Sequence, residues 1–201
     1  VWGGIAIGLA IPIALAATSP YLAWRGPAYI VAGFAGIICL ALFVLQPLLA
    51  AGYLPGLTLM TARTWHRRIG TAIIIGTALH IGGLYITSPP DTIDALTLTA
   101  PTAFSVYGVI ALWTIIATAF LVALRRRMGW RYATFRVVHN ALAFVIVVAT
   151  VVHAVQIEGT MEPISKWLLC IAALVATTVT LTDLRIIKPL IQKRKPDSTT
   201  D

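Results

Sequence analysis

Six apolar stretches of roughly membrane-spanning length leave this chain few ways to fold. A run of about 20 apolar residues crosses a bilayer as a helix. Such runs lie at about 2–18, 28–51, 67–87, 103–124, 137–157 and 165–187. Lipid offers the backbone no hydrogen-bond partner, so each run must satisfy its own amides and carbonyls as a helix. Only 11% of the residues are charged, against about 25% in soluble domains, and the mean hydropathy is +0.89. The sequence therefore predicts an all-α membrane protein, a six-transmembrane-helix bundle. SPYLAWRGP, GYLPG, SPPD and APT punctuate the runs as loops. Pro47, after Gln46, predicts a kink near the end of the second run.

The net charge of +8 would point to nucleic acid in a soluble chain. Here the basic residues cluster at the ends of apolar runs, where they set orientation, and no nucleic-acid partner is expected. Arg63, Arg67 and Arg68 fall between runs two and three. Arg125, Arg126, Arg127, Arg131 and Arg136 fall between four and five, and Lys188, Lys193, Arg194 and Lys195 follow the sixth. The alternate loops carry only Arg25 and Lys166. The basic side is then cytoplasmic, with both termini inside a plasma (inner) membrane. IALAATSP, closing the first run, loosely resembles a signal-peptidase site; losing that run would not invert the others. Residues 1–188 are expected to form the membrane domain and 189–201 a polar cytoplasmic tail.

Cys39 and Cys170 lie inside apolar runs, and neither CxxC nor CxxCH occurs, so zinc, thiol redox chemistry and covalent haem attachment lack a signal. Both read as buried small residues. No GxGxxG or phosphate loop stands between a strand and a helix.

The chain has four histidines. His66 and His80 lie fourteen residues apart on the third run, and His139 and His153 fourteen apart on the fifth. Fourteen residues at about 100° each bring the two members of a pair onto one helix face, about 21 Å apart along the axis. The third and fifth helices cross in the same direction, so His66 is level with His139 on the inner side and His80 with His153 on the outer side. A single intramembrane histidine can be a hydrogen-bonded core residue, or can snorkel near an interface. Two matched registers point instead to two haem irons, each taking an axial histidine from either side. Zinc would require three or four ligands converging on one point, and no acidic residue stands beside any histidine.

Between the histidines, small residues fall at corresponding places: Gly70 and Gly76 on the third run, Ala143 and Ala149 on the fifth. They share the histidine-bearing faces and offer clearance for a flat porphyrin, although small residues also favour ordinary helix packing. Arg67, Arg68, Arg131 and Arg136 are placed to pair with carboxylates of an inner haem, besides their role in orientation. Asp91, Asp94, Glu158 and Glu162, in outer loops, are available to attract a cationic substrate. Asp183 beside Arg185 reads as an interfacial pair.

RTWHRRIGTAIIIGTALH on the third run and RRRMGWRYATFRVVHNALAFVIVVATVVHAV on the fifth resemble the ferric reductase-like transmembrane domain, over about residues 29–190. That family includes ferric reductases, NADPH oxidases and the haem-binding membrane subunit of a bacterial methionine sulfoxide reductase system. The resemblance implies two b-type haems per chain, one at His66 with His139 and one at His80 with His153, and electron flow from the cytoplasmic face outward. Large members carry a flavin and NAD(P)H domain after the sixth helix. This sequence ends at Asp201, so the expectation is a separate reductase, flavoprotein or quinone, as donor, or a longer parent chain. The short sulfoxide reductase subunits tend to lack the histidine at the place of His66, so its presence favours the two-haem form. Two other functions fit the histidine pattern: a diheme cytochrome b subunit of a quinone-linked complex, and a non-enzymatic membrane haem sensor or assembly subunit. Whether the chain is itself an enzyme is left open; it reads as an oxidoreductase component.

Overall fold

A computed structural model describes residues 1–194. Their regular structure is entirely helical, with no strand among them. The helices are α1 (Trp2–Ala17), α2 (Pro27–Ala51), α3 (Leu59–Thr87), α4 (Pro89–Leu96), α5 (Ala103–Leu124), α6 (Tyr132–Gln156), α7 (Pro163–Thr182) and α8 (Lys188–Arg194). A π-helical turn, Asp183–Ile187, carries α7 into α8 without a break.

Five spans are long and apolar enough to cross a membrane: α2, α3, α5, α6 and the continuous stretch Pro163–Ile191. The 16-residue α1 rises about 24 Å, short of a hydrocarbon core of about 30 Å. It packs on α7 and α2, and the Trp2 indole donates to the carbonyl of Pro55 at 2.9 Å, tying its start to the α2–α3 turn.

Several boundaries differ from the sequence expectation. The third helix begins at Leu59, not at 67, so His66 sits two turns inside it. Thr58 caps that start, its hydroxyl accepting from the Thr61 amide at 3.2 Å. Hydropathy marks only the lipid-crossing part of such a helix; Arg63, Arg67 and Arg68 extend it as ordinary helix formers. In the same way the fifth run begins at Tyr132 rather than 137. SPPD, expected as a loop, opens α4, with Pro at the first helical positions, where a missing N–H costs nothing, and Asp91 in the first turn. The chain stays helical beyond 188, where a polar tail was expected. Pro189 cannot donate an amide, and the wider π turn just before it absorbs the lost register. The rest of the expected tail, 195–201, lies outside the described residues. α2 runs through Pro47 to Ala51 and ends on Gly52, whose φ of 69° is the left-handed conformation that glycine adopts freely.

Two antiparallel pairs make the bundle: α2 lies along α3 and α5 along α6, while α7 packs on both α2 and α6. Gly83 lets α3 close on α2, since a side chain there would start 2.8 Å from the Ala28 carbonyl oxygen and from the Ala32 methyl. The core where α2, α6 and α7 meet includes Phe43, Ile146, Leu169 and Cys170. Cys39 and Cys170 are both buried and free. No comparable packing joins α3 to α6, so the two histidine-bearing helices face each other across their side chains.

Candidate functional site

The structure brings the four histidines together in two pairs. The ring centres of His66 and His139 are 6.3 Å apart with planes at 74°. Those of His80 and His153 are 6.4 Å apart with planes at 86°. All four are half-buried. Each pair joins α3 to α6, one near the basic end of the bundle and one near the other end.

Backbone carbonyls orient three of the rings. His66 Nδ1 is 3.1 Å from the Gln46 carbonyl oxygen, and His80 Nδ1 is 2.7 Å from that of Ala32. Both acceptors are on α2, at the fourteen-residue interval of the histidines they hold. His153 Nδ1 is 2.8 Å from the Phe104 carbonyl oxygen on α5. A carbonyl can only accept, so each of these nitrogens carries the proton, and Nε2 keeps its lone pair for a metal. His139 differs: its Nδ1 is buried without a partner among the described residues. Thr118 stands where the pattern of Phe104 repeats on α5, but neither its carbonyl nor its hydroxyl, which donates to the Thr114 carbonyl, bonds His139. Phe135 stacks on His139 at 5.7 Å.

Sequence reasoning missed the three carbonyls, which no side chain announces. It also missed Gly36 and Gly108. A side chain at Gly36 would start 3.0 Å from His80 Nδ1, and one at Gly108 2.8 Å from His153 Nδ1. The structure places Gly70 and Gly76 against α2: a side chain at Gly70 would meet the Gln46 amide at 3.3 Å, and one at Gly76 the Cys39 sulfur at 2.5 Å. Their missing side chains are used in that helix contact. Ala149 is buried and Ala143 half-buried on α6.

Arg67, Arg68, Arg131 and Arg136 are all exposed at the basic end. Arg67 donates to the Thr64 hydroxyl at 3.2 Å, Arg68 lies over Trp65 at 5.3 Å and Arg136 over Tyr132 at 5.8 Å. None of them meets a carboxylate; the only ion pair among the described residues is Lys188 with Asp183, at 2.9 Å. Asp183 does not pair with Arg185, as its position in sequence had led us to expect. It takes Lys188 and the Tyr53 hydroxyl, because the π turn points Arg185 toward α6. There the guanidinium donates to the Arg136 carbonyl at 2.6 Å and, with the Asn140 amide turned so that its oxygen faces Arg185, to that oxygen at 2.9 Å through both Nε and Nη2.

At the opposite end, Asp91 accepts from the Ser88 hydroxyl at 2.7 Å. Glu162 caps α7, accepting from the Ile164 and Ser165 amides at 2.7 and 2.9 Å. Those amides hold its carboxyl below the ordinary value of 4.5. No group of three or more His, Cys, Asp or Glu side chains among the described residues is arranged to hold a metal ion.

The family model for the ferric reductase like transmembrane component matches residues 31–150. The chain belongs to the ferric reductase-like transmembrane family. The match takes in His66, His80 and His139 and ends three residues before His153, which completes the outer pair. Neither curated proteins nor solved structures gave a match. Membership carries, at the coarse level, transmembrane electron transfer by a multi-pass membrane protein with redox partners.

Proposed function

We propose that this ferric reductase-like chain is the membrane conduit of an oxidoreductase and holds two b-type haems, one at His66 and His139, the other at His80 and His153. The observation that carries the reading is the pair of ring separations, 6.3 and 6.4 Å. A metal–imidazole bond of about 2 Å, with about 1 Å more from nitrogen to ring centre, sets two rings gripping one metal about 6 Å apart. The gap left between α3 and α6 and the carbonyls on three Nδ1 atoms support it further.

Bound haem supplies a reversible one-electron iron couple. The chain's own residues do the rest. The imidazoles of His66 with His139 and of His80 with His153 would hold each iron between α3 and α6. Fourteen residues of rise set the two levels about 21 Å apart. Arg67, Arg68, Arg131 and Arg136, free of carboxylate partners, are available to bind propionates at the inner level.

In this reading electrons enter from a cytoplasmic flavoprotein or a quinone and leave to an acceptor on the outer face: a ferric chelate, oxygen or a protein. The arginine-rich ends of α3 and α6 favour that face as cytoplasmic, with both termini inside a plasma membrane.

The test is a haem count per chain on detergent-purified protein, with oxidised and dithionite-reduced spectra. Two low-spin b-type haems are expected. One haem would restrict the reading to a single pair. A well-folded, haem-free protein from haem-replete cells would overturn it.

A further inference from the structure

We propose that Gly36 and Gly108 are positioning residues of the outer site: by having no side chain they fix the planes of the His80 and His153 rings, and so the near-perpendicular setting of the two ligands. This rests on the haem reading above. One device occurs twice, on helices from different antiparallel pairs. On α2, Ala32 holds His80 Nδ1 by its carbonyl at 2.7 Å. One turn on, a methyl group at Gly36 would lie 3.0 Å from Nδ1 and 3.2 Å from Cε1. On α5, Phe104 holds His153 Nδ1 at 2.8 Å. One turn on, a methyl group at Gly108 would lie 2.8 Å from both Nδ1 and Cε1.

Ordinary carbon contacts are about 3.5–4.0 Å, so neither ring could keep its place beside an alanine. At both glycines the three nearest atoms belong to the histidine ring. Gly76 and Gly83, by contrast, meet Cys39, Ala32 and the α2 backbone, as helix-packing glycines do. The inner site lacks the device. One turn past Gln46 stands Ala50, and Thr118 and Val122 replace Phe104 and Gly108 in the repeat on α5. Glycine weakens a helix interior relative to alanine, so two glycines set against ligand rings oppose local stability. The carbonyl holds the Nδ1 edge of each ring, and the glycine leaves room for that edge, Nδ1 with Cε1, to come close against the helix. The outer planes stand at 86°.

Perpendicular imidazoles leave the two iron d orbitals that bond to them nearly equal in energy. A low-spin ferric centre then gives a strongly anisotropic electron paramagnetic resonance signal. Rotation toward parallel separates the orbitals and lowers the low-field g value. The experiment compares Gly36→Ala, Gly108→Ala and, as control, Gly82→Ala, which lies two residues from His80 with nothing within 4 Å of an added methyl. The His80→Ala protein identifies the outer signal by its loss. Expected are a lower low-field g value and a shifted midpoint potential for the outer haem in the first two variants. The inner signal and total haem stay unchanged, and Gly82→Ala matches the parent. Loss of the outer haem alone in either variant also supports the proposal, since a ring then cannot reach its iron. Unchanged outer g value and potential in both variants at full haem content overturn it, as does loss of both haems together, which marks a general folding role. A parent protein without haem fails the proposed function itself and is recognised before any variant is made.

Discussion

Nδ1 of His80 lies 2.7 Å from the carbonyl oxygen of Ala32, on the neighbouring helix. The contact settles the ring's tautomer, because the oxygen has no proton to give. It also aims Nε2 away from α2, toward His153 on α6. A histidine kept only to fill a polar gap would use both nitrogens in hydrogen bonds, since an unpaired one in lipid is costly. Among the described residues no ring nitrogen of the four other than the three held Nδ1 atoms makes a hydrogen bond. The unused nitrogens are the chemistry the site offers.

Removing one ligand therefore predicts a selective loss. His80→Ala or His153→Ala should leave one haem per chain, the inner one, and His66→Ala or His139→Ala the outer one. Pyridine haemochrome assays and redox titration of each variant check this: each should lose one of two potential steps. Full haem content in all four variants would show that the imidazoles are not the ligands.

The runs and the pairing of the histidines were legible because lipid allows so little. Each apolar run had to be a helix, and the odd-numbered runs had to cross in one direction, so His66 could meet His139. The structure departs where lipid stops dictating. The first two turns of α3 and the start of α6 mix arginine and threonine among apolar residues, and α4 is eight residues long, so hydropathy passes over all three. The acceptors of Ala32, Gln46 and Phe104 are backbone atoms, identical in every residue, and only the register of α2 on α3 and of α5 on α6 reveals them. Gly36 and Gly108 were visible as letters, but nothing in sequence separates a glycine under an imidazole from one between two helices. Arg185 was read with its sequence neighbour Asp183, and the π turn separates them.

That turn carries a second prediction. Arg185 reaches α6 and bonds the Arg136 carbonyl and Asn140, the residue after His139. Hydrogen bonds from a charged donor are worth about 1.5–3 kcal/mol each where water is scarce. Partial exposure of Arg185 lowers that, so Arg185→Met should cost about 1–2 kcal/mol. Because the bonded segment carries His139, the loss should fall on the inner haem. On heating, the inner spectral component of the variant should disappear at a lower temperature than in the parent, with the outer component unchanged. Equal shifts of both components would mean that the contact stabilises the bundle as a whole.

At the same end, Tyr53 donates to Asp183, which also pairs with Lys188. Desolvation, then the hydrogen bond to Asp183 and its charge, push the phenol up to about 12. The folded protein holds this proton where an unfolded chain, at the ordinary value of 10.0, releases it. The stabilisation is complete below about pH 10 and is lost as pH rises toward 12. Absorbance titration of tyrosinate should show a late step near 12 that disappears in Tyr53→Phe. In Asp183→Asn that step should move to lower pH.

Glu162 works with the opposite sign. The Ser165 and Ile164 amides at the start of α7 bind its carboxylate and lower its affinity for a proton below the ordinary 4.5. The folded state then favours the charged form, so the cap's contribution is complete above the unfolded value and falls away as pH drops through the folded one. Thermal midpoints of the parent and Glu162→Ala should differ at pH 7 and converge as acid protonates the folded-state carboxylate, below the ordinary carboxyl range. Glu162→Gln, which keeps an acceptor oxygen without the charge, should lie between them at pH 7 and change little with acid. A gap between parent and Glu162→Ala that stays constant through acid titration of the carboxylate would mean that the charge adds nothing.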